Sequence, residues 1–250
     1  MNKKELKILH NGRCVYGYFY EPDLEEYPVV ILSHGYNGDK LSFEATAEYF
    51  AENGIGAVCF TFCGGSVRDE SGFSSTKMTL FTEEEDLCAV LDNVLLWERV
   101  KKDQIFLFGE SQGGLVSVMA GSDRKEDVRG MILLYPALCV ADDWNDRFRN
   151  KEEIPDRMDF WGMELGKEFF YTLRDFDLNS YIDQFKGPVL FMHGAQDEIV
   201  PLSYSKSASE RYHNGKLEVF AGEKHGFTSR GSRQMEAMAI YFIHDIIGRN

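Results

Sequence analysis

Short runs of large apolar residues recur along this chain, separated by amphipathic stretches and by turns rich in glycine and aspartate. Residues 29–33, 57–62 and 105–108 show no polar alternation, which reads as strands buried on both faces. Residues 130–134, 189–193 and 217–220 read as further strands. Ahead of them, residues 5–9 and 14–20 flank His10-Asn11-Gly12, and Asn-Gly between strand-like runs predicts a hairpin. Helical periodicity fills the gaps. One helix covers about 43–52 and stops at Gly54. A second runs from an N-cap at Thr82 to about 101, with Leu87, Val90, Leu91, Val94 and Leu95 on its apolar face. Others follow Gly113 and cover about 178–185, 203–212 and 232–247. Strands alternating with helices call for an α/β fold: a mostly parallel central sheet with helices on both faces, opened here by an antiparallel hairpin.

Between residues 138 and 177 the alternation stops. This stretch is rich in aromatic and charged residues, including Trp144, Phe148, Phe160, Trp161, Phe169, Phe170 and Tyr171. It is too long for an ordinary connection between a strand and a helix. The expected organisation is therefore one core, residues 1–137 and 178–250, with a lid inserted at 138–177.

Composition narrows the class of partner. The 250 residues carry a net charge of −14, which disfavours nucleic acid and anionic membrane surfaces. No apolar run reaches membrane-spanning length. Cys14, Cys59, Cys63, Cys88 and Cys139 show neither disulfide-framework nor zinc spacing, which favours a reducing compartment. The first residues are basic but lack the apolar region of a signal peptide. A cytoplasmic protein acting on a small molecule is the expectation, and a homodimer is compatible with it.

The candidate chemistry sits where the strand at 105–108 ends. Gly109-Glu110-Ser111-Gln112-Gly113 is a Gly-x-Ser-x-Gly step from strand to helix, the form of a nucleophile elbow. The plainer reading is a junction in which Ser111 only caps the helix. A serine nucleophile needs a base, and the base needs an orienting acid. His225 directly follows the last strand, at the correct edge of the sheet. His34 and His193 also follow strands, but each sits in a His-Gly step that suits turn structure; His34 is the alternative base. His10, His213 and His244 read as surface or packing residues. Asp197 lies just past the 189–193 strand and is the candidate acid, or else a turn residue; Glu198 is the rival carboxylate. Oxyanion donors would be the backbone N–H groups of Gln112 and of Tyr36, on the loop after residue 33. No metal or cofactor is implied.

The order Ser111, Asp197, His225 is the order expected of a serine α/β-hydrolase. Within that superfamily the chain resembles the small bacterial feruloyl (cinnamoyl) esterases. The matching motifs are His34-Gly35-Tyr36-Asn37-Gly38, Gly109-Glu110-Ser111-Gln112-Gly113-Gly114, Tyr135-Pro136-Ala137, Ile154-Pro155-Asp156-Arg157, His193-Gly194-Ala195-Gln196-Asp197 and Lys224-His225-Gly226-Phe227. The resemblance implies hydrolysis of hydroxycinnamoyl or similar small esters through an acyl-enzyme. It implies a lid that walls the acyl pocket, with an acidic contact at Asp143 and a tyrosine contact, near whose expected place this chain has Phe169, with Tyr171 two residues on. The lid aromatics, Trp161 and Phe169 among them, suit an apolar portion of the substrate, or else they bury the lid on the sheet. A peptidase or thioesterase on the same scaffold, and a non-catalytic ligand-binding protein, are the competing expectations.

Overall fold

The computed structural model describes residues 1–248. An eight-stranded sheet in the order β1-β2-β4-β3-β5-β6-β9-β10 forms its centre. Its strands are β1 (Asn2–His10), β2 (Arg13–Glu21), β3 (Tyr27–Ser33), β4 (Gly56–Thr61), β5 (Val100–Glu110), β6 (Gly130–Leu134), β9 (Val189–Gly194) and β10 (Gly215–Phe220). β1 and β2 pair antiparallel, β2 pairs antiparallel with β4, and every pairing from β4 to β10 is parallel. The β1–β2 turn is made by Asn11 (φ 44°) and Gly12 (φ 74°), the left-handed pair that an Asn-Gly hairpin needs.

Helices α1 (Glu44–Glu52), α2 (Leu80–Leu95), α3 (Ser111–Asp123), α6 (Leu178–Gln184), α7 (Leu202–Arg211) and α8 (Ser229–Ile247) cover the sheet. The strand pleat divides the core. Val29, Ile31, Ile105 and Leu107 point into a layer shared with α2, α3 and α6. Val30, Leu32, Phe106 and Phe108 point into the other, beneath α1 and α8. That two-sided burial explains why these strands carry no polar alternation. Among the described residues, no helix is long and apolar enough to cross a membrane.

One helix differs from its sequence expectation. α2 begins at Leu80 and is capped by Thr79, whose side chain accepts the Thr82 N–H at 3.2 Å while Thr82 Oγ1 accepts the Thr79 N–H at 2.9 Å. Thr82 is therefore the third helical residue of a reciprocal box rather than the cap. α2 also ends at Leu95, because Val100 already pairs with Tyr27 in the sheet.

The stretch between Leu138 and Asp177 holds α4 (Val140–Arg147), a separate hairpin of β7 (Arg157–Phe160) and β8 (Met163–Gly166), and α5 (Lys167–Thr172). Trp161 (φ 46°) and Gly162 (φ 79°) form the hairpin turn. The Tyr36 hydroxyl ties this hairpin to the core by donating to the carbonyls of Phe160 (2.8 Å) and Met163 (3.3 Å).

Phe108 sits edge-on to Phe43 at 5.3 Å and to Phe50 at 6.3 Å, beneath the end of β5. Truncating it leaves a cavity that rigid strands cannot close. Phe108→Ala is expected to lower unfolding free energy by about 3–5 kcal/mol, read from the urea midpoint at unchanged slope.

Candidate active site

β5 ends at Glu110 and α3 starts at Ser111, with no residue between them to make a turn. The turn is made by Ser111 itself, whose φ of 49° is left-handed. A non-glycine residue there carries strain of about 1–3 kcal/mol. Neighbouring glycines permit the close packing: a side chain on Gly109 would strike the Gly113 carbonyl, and one on Gly113 would strike the carbonyls of Ser33 and His34. The Ala137 N–H donates to the Ser111 carbonyl at 2.8 Å and fixes the corner from the β6 side. The result lifts the Ser111 hydroxyl above the sheet edge. The N–H of Gln112, in the first turn of α3, has no carbonyl inside the helix to bond.

Two loops bring the other groups to that hydroxyl. After β9, Ala195 donates to the Phe220 carbonyl (2.9 Å) and Gln196 to the Glu223 carbonyl (3.0 Å), so the 194–197 loop lies against the loop after β10. The Glu223 carboxylate accepts the Thr228 N–H (2.6 Å) and hydroxyl (2.7 Å) at the start of α8. His225 is held between these attachments, with its ring 4.6 Å from that of Tyr135. Its Nε2 lies 3.0 Å from Ser111 Oγ, and its Nδ1 lies 2.9 Å from Asp197 Oδ2.

Asp197 is fully buried at its carboxylate, and both oxygens are occupied. Oδ1 accepts the N–H groups of Ile199 and Val200, each at 2.9 Å. Oδ2 faces His225 and also His193 Nε2, at 3.1 Å. Glu198, by contrast, points outward, with Lys224 at 3.9 Å.

His34 does not reach Ser111. Its Nδ1–H donates to the Gly35 carbonyl (2.7 Å) and its Nε2 accepts the Phe62 N–H (3.1 Å), so the ring braces the 34–38 loop from within. The Gly35 N–H and the Tyr135 hydroxyl both donate to Glu110, at 3.3 and 3.0 Å, and burial raises that carboxyl's pKa.

A cavity of about 380 Å³ opens over Ser111, lined by Tyr36, Gln112 and residues of the 138–177 stretch. Asp143, Trp161 and Phe169 line it. Tyr171 is not part of its wall; it packs on the main hydrophobic cluster. Phe160 stacks on Trp161 at 4.5 Å, and Tyr36 meets Phe160 edge-on at 5.3 Å. The cavity wall is mostly apolar, with Asp143, Arg147 and Glu198 as its charged members.

Metal-ligating residue types converge elsewhere, at His10, Cys63 and Asp86, whose ligand atoms lie within 4.8 Å of one another. Asp86 is already engaged there. It accepts the Cys63 N–H at 2.7 Å, lies 2.6 Å from His10 Nε2 and 3.3 Å from Arg13 Nε. The Arg13 guanidinium supplies the positive charge a cation would bring. His10, expected from sequence to be a bland turn residue, thus joins the hairpin to α2.

The family profile described as serine aminopeptidase, S33 (Hydrolase_4) matches residues 25–157, just over half of the chain. The chain belongs to this hydrolase family. Est1E from Butyrivibrio proteoclasticus, solved with ferulic acid bound, is 26% identical; the match covers 97% of this chain and 99% of that one, at a TM-score of 0.89. DcsB, solved with a substrate analogue, is 17% identical over 98% of this chain and 99% of its own, at a TM-score of 0.80, and is alike in fold. RutD of Caulobacter sp. (strain K31), whose name proposes a carbamate hydrolase, is 29% identical over 115 residues. That match spans 45% of this chain and 41% of RutD. The sheet order, the N-terminal antiparallel strands and these likenesses together make this an α/β-hydrolase resembling feruloyl esterases.

Sequence reasoning did not find the second histidine of this hydrolase. His193 Nε2–H is shared between Asp197 Oδ2 and the Val200 carbonyl (3.0 Å), while its Nδ1 accepts the Ser205 hydroxyl at 2.8 Å. The spacing His193-Gly194-Ala195-Gln196-Asp197 was visible, but nothing local told that the ring would turn back onto the carboxylate. Burial lowers the pKa of both His193 and His34, the latter to about 4.

Glu83 and Glu84 are also buried, and burial raises each pKa to about 8. These carboxyls stay protonated in the folded chain after the unfolded chain has released its protons, so they add stability at low pH that is lost as pH rises through about 8. His34 and His193 oppose that loss only near their unfolded value of about 6.5, where part of the unfolded chain is still protonated, and their effect fades as pH rises towards about 8. The urea midpoint is therefore expected to fall as pH is raised from about 6.5 to about 8, and Glu84→Gln to flatten that fall. A midpoint that rises over this interval contradicts it.

Proposed function

We propose that this chain hydrolyses carboxylic esters through an acyl-enzyme formed on Ser111. The observation that carries the reading is the unbroken row Ser111 Oγ, His225 and Asp197, with contacts of 3.0 and 2.9 Å, around a serine held in left-handed backbone. In this mechanism Ser111 Oγ attacks the ester carbonyl while His225 Nε2 takes its proton. The imidazolium that forms is steadied by Asp197 and then gives the proton to the departing alcohol. Water attacks the acyl-enzyme by the same exchange in reverse, releasing the acid. The N–H groups of Gln112 and Tyr36 receive the oxyanion of each tetrahedral intermediate.

The proposed acyl group is hydroxycinnamoyl or a similar small aromatic acid. The aromatic slot of Phe160, Trp161, Trp144 and Phe169 supports it, as does the ferulic acid in the Est1E structure. In this reading the 138–177 stretch acts as the lid over this slot, and Asp143, in the cavity wall, takes a polar ring substituent. All five cysteines are free, which suits a cytoplasmic location. The family description supports a second reading, cleavage of an aminoacyl bond; paired assays on an ester and on an aminoacyl anilide separate the two.

Ser111→Ala is expected to lower turnover of a p-nitrophenyl ester by about 10⁴-fold or more; undiminished turnover overturns the reading. Asp197→Asn is expected to lower kcat by about 10⁴-fold, against a small change for Glu198→Gln. Equal losses would reassign the acid. Across methyl ferulate, methyl p-coumarate and short aliphatic esters, kcat/KM is expected to favour the two aromatic esters. A preference for acetate or butyrate would remove the hydroxycinnamoyl assignment and leave the mechanism standing.

A further inference from the structure

Glu83 is the buried acid that the mechanism leaves unused. It lies in the first turn of α2, 1% exposed, and no salt bridge among the described residues reaches it. Its Oε2 accepts the side-chain amide of Gln112 at 2.8 Å. Its Oε1 fills the space beside Gly65, where a β-carbon would come within 2.7 Å. The carboxyl therefore stands behind the residue whose backbone N–H is assigned to the oxyanion, in a gap kept open by a glycine.

We propose that Glu83 is a positioning residue that works only in its uncharged form: neutral, it holds Gln112 in place; ionised, it disables the oxyanion site. The inference rests on the ester-hydrolase reading and deepens it.

The charges around Glu83 all favour the neutral acid. On α2 itself the Asp86 carboxylate is negative and adds to the effect of burial. Arg13, the cation near Asp86, is bound to that carboxylate, as is His10. On the loop after β4, Cys63 is kept a thiol by burial and by Asp86, with Asp69 nearby. From the oxyanion loop, Tyr36 is kept a phenol by burial and then by the charge of Asp159, so it brings no charge to Glu83. From α3 the Gln112 amide works against this, because its hydrogen bond lowers the carboxyl's pKa, but burial outweighs it. The carboxyl accordingly keeps its proton up to a pKa of about 8. A negative charge there opposes the oxyanion that the Gln112 N–H must receive, and the low-polarity surroundings screen it poorly. Ionisation is thus expected to act on kcat more than on KM, because the substrate in its ground state carries no such charge.

The test has two readouts. In steady-state hydrolysis of a p-nitrophenyl ester, wild-type kcat should fall about tenfold as pH rises through about 8. Glu83→Gln, which keeps the acceptor and cannot ionise, should lose that fall. Glu83→Ala should lower kcat about tenfold at neutral pH, with most of the loss restored in Glu83→Gln. Glu84→Gln, whose site faces Asp123 and Glu85 instead, should keep the wild-type profile. The second readout is infrared difference spectroscopy of the free protein, wild type against Glu83→Gln. It should show a protonated-carboxyl band at neutral pH that vanishes as pH rises through about 8. An alkaline limb unchanged in Glu83→Gln, or no such band, overturns the proposal. Because the band is read without substrate, its failure is distinct from a failure of the ester-hydrolase reading, which Ser111→Ala tests.

Discussion

Ser111 joins β5 to α3 in left-handed backbone that side-chain-bearing residues avoid, and much around it serves to keep it there. Gly109 and Gly113 let helix and strand approach closely enough to force the corner, and the β6 loop closes it with the Ala137–Ser111 hydrogen bond. Packing of a two-sided apolar strand holds the strain, because β5 cannot slip without moving side chains in both core layers. The serine is therefore displayed by the core rather than by a mobile loop.

The same logic extends to its partners. The loops after β9 and β10 are laced to each other, and Asp197 ends up with two backbone donors and two histidines. His193 matters here as a brace: through Ser205 it connects the carboxylate to α7, so a helix anchors the acid.

Tyr36 connects the elbow region to the 138–177 stretch. Its backbone belongs to the loop beside Ser111, while its hydroxyl holds the β7–β8 hairpin. Movement of the hairpin and alignment of that loop share one residue. Beneath it, Glu83 and Gln112 form a second brace from α2, so the rim above the serine is supported from the 34–38 loop, from α2 and from α7.

Much of this was determined by local order along the chain. Apolar runs without alternation fixed the buried strands, Asn11-Gly12 fixed the first turn, and Gly109 to Gly113 marked the elbow, because each depends on neighbours within a few residues. The end of α2 was not legible: residues 96–99 contain no glycine or proline, and the helix stops there because Val100 must meet Tyr27 across the sheet. The cap moved from Thr82 to Thr79 for a related reason, since two threonines three apart could serve either role. Chain order nominated Ser111, Asp197 and His225, but their separation of 3.0 and 2.9 Å came from loops meeting far apart in sequence. His193 on Asp197, Glu83 behind Gln112 and Tyr36 under the hairpin were beyond local reading. Each joins side chains whose meeting depends on sheet order and helix packing, and those are settled only when the whole core closes.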